Sequence, residues 1–178
     1  MPHARCACSS PDGNFLYVAD LWIDKILADR ATGGVAFDRA TEESLPPGSG
    51  PRHRVFSPGG RPCFVVNELM LGVMRFAVTP QTGALTYLAI LPLAGFDGNS
   101  AQRAGIIFSP NTEVLLVSLR GSNEIVAIQI GAEARRLSVI GRWHSGGKTP
   151  RDLALTPSGR HHEIPHPGVI HLAQSGSA

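Results

Sequence analysis

Apolar residues in this chain come in short runs, and each run is closed by a turn signal. "RCACS", "HRVFS", "AGIIFS" and "DLALT" lead into "SPDG" at 10–13, "SPGG" at 57–60, "SPNT" at 109–112 and "TPSG" at 156–159. After the first three turns a second apolar run follows: "NFLYVADL", "RPCFVVNEL" and "EVLLVSLRG". Proline presets the backbone at the first central turn position, and Gly or Asn tolerates the bend behind it. Each unit therefore predicts a hairpin. The stretches "MRFAVTPQTGALTYLAIL" (74–91) and "EIVAIQIGAEARRLSVIGRW" (124–143) read again as strand, turn, strand. No segment combines a helical period with caps.

The turn signals are spaced by 47, 52 and 47 residues. Four strands in a repeat of roughly 50 residues is the size of a propeller blade. The predicted fold is all-β, a partial β-propeller of about three to three and a half four-stranded blades. The expected blades are 1–50, 51–102 and 103–149, with an incomplete one at 150–160. The stretch "HHEIPHPGVIHLAQSGSA" is poor strand material because of its prolines, so 161–178 is expected to be an irregular tail. "ILADRATGG" in the first blade reads as a shortened third strand.

Composition agrees with this picture and narrows the partners. The apolar share of 43% argues against disorder, and the 20 Gly and 14 Pro suit many short strands and turns. A net charge of +2 with 17% charged residues gives no electrostatic case for nucleic acid or membrane binding. No run of about 18 apolar residues is present. The start "MPHARCACSS" lacks a basic stretch followed by an apolar one, so the chain reads as cytoplasmic. Cys6 and Cys8 would share one face of a strand, and with Cys63 they do not make zinc spacing. They read as reduced, structural thiols.

Charged residues stand at the strand ends. "SGPRHRVFSPGGRPCFVVNEL" (49–69) carries Arg52 and His53 at the start of one strand and Asn67 and Glu68 at the end of the next. Arg52 precedes Ser57 by five residues, as Arg151 precedes Thr156; Glu68 and Arg120 each follow their turn serine by eleven. In a propeller, equivalent strand ends face the same end of the central channel, so the repeat is expected to gather these side chains around one mouth. Charged residues at strand ends are otherwise commonly plain solvated positions.

Two further motifs are rejected on physical grounds. "HEIPH" (162–166) has the H-E-x-x-H pattern, but that zinc chemistry needs a helix, which Pro165 and Pro167 oppose. "GGKTPR" (146–151) is not a phosphate loop, since Arg142 stands where the glycine is required and Pro150 follows directly. No metal site is expected.

The stretches "PHA", "SPDGNFLYVADL", "LPPGSGPRH", "VVNEL", "FDGNSA", "RGSNEIVAI" and "GGKTPRD" with "TPSGR" occur in one order over about residues 2 to 160. In that order they resemble the lactonase family of seven-bladed propellers, which includes bacterial 6-phosphogluconolactonases and carboxy-muconate cyclases. The match corresponds to roughly the middle half of a family member, and the family's blades before Met1 and after Arg160 are expected to be absent. The resemblance implies a cofactor-free hydrolase acting on a small anionic sugar lactone. It implies catalytic roles for Glu68, Arg52 and Arg120, with His3 and His53 as further candidates, and substrate binding by Arg52, Arg120, Asn67 and Arg151. A carboxylate such as Glu68 can act as general base, and arginines can hold developing negative charge.

The chain departs from the family pattern at several positions. Arg5 stands at the second histidine of His-x-His, Gly105 replaces a glutamate, Leu119 replaces an asparagine, and Trp22 occupies a usual glycine position. The alternatives are a carboxy-muconate cyclase, a propeller scaffold without chemistry, and a truncated, inactive fragment. An incomplete ring would leave open blade edges, through which self-association is expected.

Overall fold

The computed structural model describes residues 3–70, 72–93, 103–131, 136–155 and 162–163. Among these residues every regular element is a strand. Three four-stranded antiparallel sheets follow one another along the chain, each with its strands in sequence order. The first holds β1 (Ala4–Ser9), β2 (Phe15–Asp20), β3 (Lys25–Gly33) and β4 (Ala36–Ser44). The second holds β5 (Pro51–Phe56), β6 (Cys63–Asn67), β7 (Gly72–Thr79) and β8 (Ala84–Pro92). The third holds β9 (Arg103–Phe108), β10 (Val114–Leu119), β11 (Glu124–Ile130) and β12 (Leu137–His144). A two-residue pair, β13 (Ala154–Leu155) with β14 (His162–Glu163), lies beyond them. This is the meander of propeller blades, and the chain is an all-β, partial β-propeller.

The third strand of the first sheet is not shortened. β3 runs nine residues and pairs along its length with β2 and β4. Alternation misleads there because Asp29 and Arg30 look like loop residues, yet Asp29 pairs with Arg39 and Arg30 reaches across to the next sheet. The "FDGNSA" loop, the "TPSG" turn and most of the expected tail lie outside the described residues. His162 and Glu163 of "HEIPH" are in a strand, which is incompatible with the helix that a zinc motif requires.

The three Ser-Pro turns are built alike. In each, the serine N–H donates across the hairpin, from Ser10 to Phe15 O, from Ser57 to Pro62 O and from Ser109 to Val114 O. The residue three positions on donates back to the serine carbonyl and takes a left-handed backbone, with φ of 74° at Gly13, 74° at Gly60 and 59° at Thr112. Glycine meets that geometry without strain; a β-branched threonine does not.

The chain divides into two compact units, Met1–Leu93 and Ala94–Ala178. In the first unit one core joins the first two sheets: Phe15, Tyr17, Ile26 and Ala28 pack with Cys63, Val65, Met74, Phe76 and Val78. Tyr17 ties the sheets together, its ring tilted against that of Phe56 with centroids 4.9 Å apart and its hydroxyl donating to Gly83 O at 2.9 Å. Burial pushes its phenol up to about 12. In the second unit Leu116, Ile125, Ala127 and Leu153 form the core. All three cysteines are free thiols, and burial raises the pKa of Cys8 and Cys63.

Candidate functional site

The first strand of each sheet slips register near its start. The shift falls between Pro51 and His53 in β5, between Ala4 and Cys6 in β1, and opposite Val117–Leu119 in β9. An extra residue in a strand bends it and re-aims a side chain. In β5 that residue is Arg52. Its Nη1 meets Glu68 Oε2 at 3.3 Å, and the two side chains are only 12% and 9% exposed. Glu68 sits just past the end of β6, held by its own N–H donating to Gly50 O at 2.7 Å. Gly50 has φ of 59°, and its N–H donates to Asp24 Oδ1 at 2.7 Å while Gly48 N–H donates to Asp24 Oδ2 at 2.8 Å. The loop delivering Arg52 is therefore clamped to the preceding sheet by one carboxylate.

Asn67 lies beside this pair, fully buried, as the last residue of β6. Neither its Nδ2 nor its Oδ1 has a hydrogen-bond partner among the described residues. Buried amides are nearly always satisfied, so an orphaned one next to a buried ion pair marks a place for water or ligand. His53 is half-buried in β5, opposite Val66.

The first sheet repeats the frame with different chemistry. The Ala4–Asp20 pairing corresponds to Pro51–Asn67, and Leu21 N–H donates to His3 O as Glu68 N–H donates to Gly50 O. Arg5 thus occupies the bulge position of Arg52, but Leu21 stands in the register of the carboxylate and Arg5 is exposed. His3 takes no part in the Arg52–Glu68 pair; its ring stacks on Trp22 at 5.1 Å.

Arg120 and Arg151 belong to the second unit. Arg120 is half-buried in the β10–β11 turn, and Arg151 is exposed behind Pro150. Gly105 N–H donates to Ser118 Oγ at 2.8 Å. A side chain at 105 would not fit easily: its Cβ would lie 3.0 Å from both Cα and Oδ1 of Asp152. A carboxylate oxygen from a neighbouring segment thus borders the space that Gly105 leaves.

Sequence reasoning missed three charged groups. Asp20 is 2% exposed and anchors the β2–β3 turn. Its signal was present, ten residues after a turn serine like Asn67. Arg54 is 5% exposed, its guanidinium 5.9 Å above the Tyr17 ring and donating to Cys6 O at 3.4 Å. Glu124 is fully buried, accepting from Ser122 Oγ at 2.5 Å with Arg142 at 3.5 Å. At the opposite strand ends of the first unit a cavity of about 260 Å³ is lined by Asp12, Phe15, Tyr17, Phe56, Pro58 and Pro80, among others. No group of His, Cys, Asp and Glu suited to a metal ion occurs among the described residues.

A meander of four-stranded antiparallel sheets defines the chain as a partial β-propeller. The chain matches the family described as "Lactonase, 7-bladed beta-propeller" over residues 1–162, and it belongs to that family. It is 32% identical over 165 residues to a 6-phosphogluconolactonase of Formosa agariphila, covering 89% of this chain and 46% of that protein. It is 26% identical over 158 residues to the 6-phosphogluconolactonase of Bacillus subtilis, covering 88% and 45%. Among solved structures, the periplasmic gluconolactonase of Pseudomonas aeruginosa superposes with a TM-score of 0.82 at 30% identity, covering 92% of this chain and 47% of that one. A putative 6-phosphogluconolactonase of Bacteroides uniformis gives 0.81 at 27% identity, with the same coverage of 92% and 47%. The chain spans about half the length of the curated relatives it matches.

Proposed function

We propose that this chain carries the active site of a sugar-lactone hydrolase, with 6-phosphogluconolactone, hydrolysed to 6-phosphogluconate in carbohydrate metabolism, as its substrate. The relatives' names support the lactonase class. The observation that carries the reading is the buried Arg52–Glu68 pair at 3.3 Å beside the Asn67 amide, which is unsatisfied among the described residues.

The chemistry follows from those groups. Glu68 takes a proton from water as the water oxygen attacks the lactone carbonyl carbon. The carbonyl electrons move onto oxygen, where the Arg52 guanidinium holds the developing charge with fixed donors. When the carbonyl re-forms, the ring C–O bond breaks and the ring oxygen takes the proton back from Glu68. One water is added, one hydroxy acid is produced, and no redox step is involved. Confinement of the ion pair strengthens its interaction with charge, since little water screens it.

The test is lactone hydrolysis, followed as acid release, with Glu68→Gln and Arg52→Ala beside the parent chain. Loss of a general base or an oxyanion donor removes about 10²–10³ of the rate. Glu68→Gln should therefore lower kcat by at least a hundredfold with little change in KM. Variants as fast as the parent would refute the assignment.

A further inference from the structure

We propose that Trp22, backed by His3, forms a stacking subsite for the ring of a sugar lactone. The proposal rests on the sugar-lactonase reading and names the group that holds the sugar ring.

Trp22 stands at the β2–β3 turn and is 62% exposed. An indole at that exposure in a tight turn presents apolar surface to solvent with no gain in core packing. It is nevertheless held in place. Its ring lies nearly parallel to that of His3, with centroids 5.1 Å apart and an interplanar angle of 18°. Both sides of the stack are anchored by one carboxylate. Asp20, 2% exposed, accepts from His3 N–H at 2.9 and 2.8 Å, from Trp22 N–H at 3.1 Å and from Ile23 N–H at 3.4 Å. A buried carboxylate saturated by backbone donors is a rigid joint, so the platform is set before any ligand arrives.

Its position follows from the repeat. Leu21 occupies the register of Glu68, so Trp22 is the first-sheet counterpart of Leu69, one residue beyond the proposed base. The two sheets share one core within the first unit, and β1 packs on β5, so the Trp22 turn and the Arg52–Glu68 pair lie at the same end of neighbouring sheets. A sugar ring has an apolar C–H face and a polar rim. An exposed indole can take the face by dispersion contact, while the rim hydroxyls and the carboxyl end turn to polar groups and the arginine. An inorganic anion alone has no such face and would gain nothing from Trp22.

The experiment uses the full chain with Trp143→Phe, which leaves Trp22 as the sole fluorophore of its kind. Its emission is titrated with glucose 6-phosphate, a ring-bearing sugar that is not a lactone, and, separately, with inorganic phosphate. A saturable change with the sugar phosphate, absent with inorganic phosphate, is expected. Trp22→Ala should raise KM for the sugar lactone at least tenfold while kcat changes less than threefold, and Trp22→Phe should recover most of the loss. An unchanged KM in Trp22→Ala with normal turnover overturns the subsite and leaves the lactonase reading standing. If the parent chain hydrolyses no lactone but the sugar phosphate still gives a saturable change, the lactonase reading falls and the subsite stands. If neither turnover nor an emission change occurs, both fall.

Discussion

A buried amide without partners costs about 1–3 kcal/mol relative to a satisfied one, and an apolar group of similar size removes that cost. Asn67 is fully buried with both amide atoms unsatisfied among the described residues. If its role were structural, the amide would be paired. Asn67→Leu is therefore expected to keep or raise the melting temperature in calorimetry while lowering kcat/KM for the sugar lactone at least tenfold. A large fall in melting temperature would make Asn67 a structural residue. The sequence singled out Asn67, Arg52 and Glu68 because their offsets from the Ser-Pro turn are fixed by the hairpin itself. It could not show that Arg54, two residues beyond Arg52, is buried. That burial comes from Tyr17 and Cys6 on another sheet, 37 and 48 positions away in the chain.

At the scale of elements, the hairpins were legible because Pro and Gly act locally, whatever packs around them. The clamps between sheets were not. Asp24 takes the N–H groups of Gly48 and Gly50, and Asn123 takes that of Thr149 at 2.6 Å; each bridges about 25 residues that no local pattern links. Both clamp residues have left-handed backbones, with φ of 52° and 56°, a conformation that Asp and Asn tolerate better than most. Read against its counterparts, the β9–β10 turn stands out. Gly13 and Gly60 fill the left-handed position of their turns, but Thr112 fills it here at φ 59°. Left-handed backbone costs a Cβ-bearing residue about 1–2 kcal/mol, against roughly 0.5–1 kcal/mol of extra chain entropy for glycine. Thr112→Gly should therefore stabilise the third sheet slightly, by about 0.5–1 kcal/mol. A denaturant melt showing a higher midpoint with unchanged slope is the expected result. A lower midpoint would mean that the threonine side chain makes up for its backbone.

Across the whole chain, burial falls steeply from the middle to the outer strand of each sheet. β6 is buried at all five positions, whereas β12 leaves Val139, Ile140 and Trp143 exposed at 39%, 56% and 45%. β8 similarly exposes Tyr87 and Leu88. β1, β4, β5, β8, β9 and β12 all end their sheets, each with one backbone edge unpaired among the described residues. Unpaired edges flanked by exposed apolar side chains are templates for pairing with another chain. Charged edge residues oppose such pairing, and β4 carries Asp38, Arg39, Glu42 and Glu43, so it is well guarded. β12 has only Arg142 and His144 in its eight residues, and β8 has no charged residue in its nine. But β12 exposes the larger apolar group, Val139, Ile140 and Trp143 against Tyr87 and Leu88, which makes it the more adhesive of the two. The purified 178-residue chain is therefore expected to associate through β12, giving a light-scattering mass above the monomer that rises with concentration. Ile140→Lys places a charge in the middle of that strand, on a side chain already mostly exposed, and should shift the population towards monomer without loss of the β-type circular dichroism. A sharp, concentration-independent monomer for the parent chain would show that these edges are protected. An association unaffected by Ile140→Lys would move the contact from β12 to the uncharged edge β8, where Leu88→Lys offers the corresponding test, or to the inner edges β1, β5 and β9.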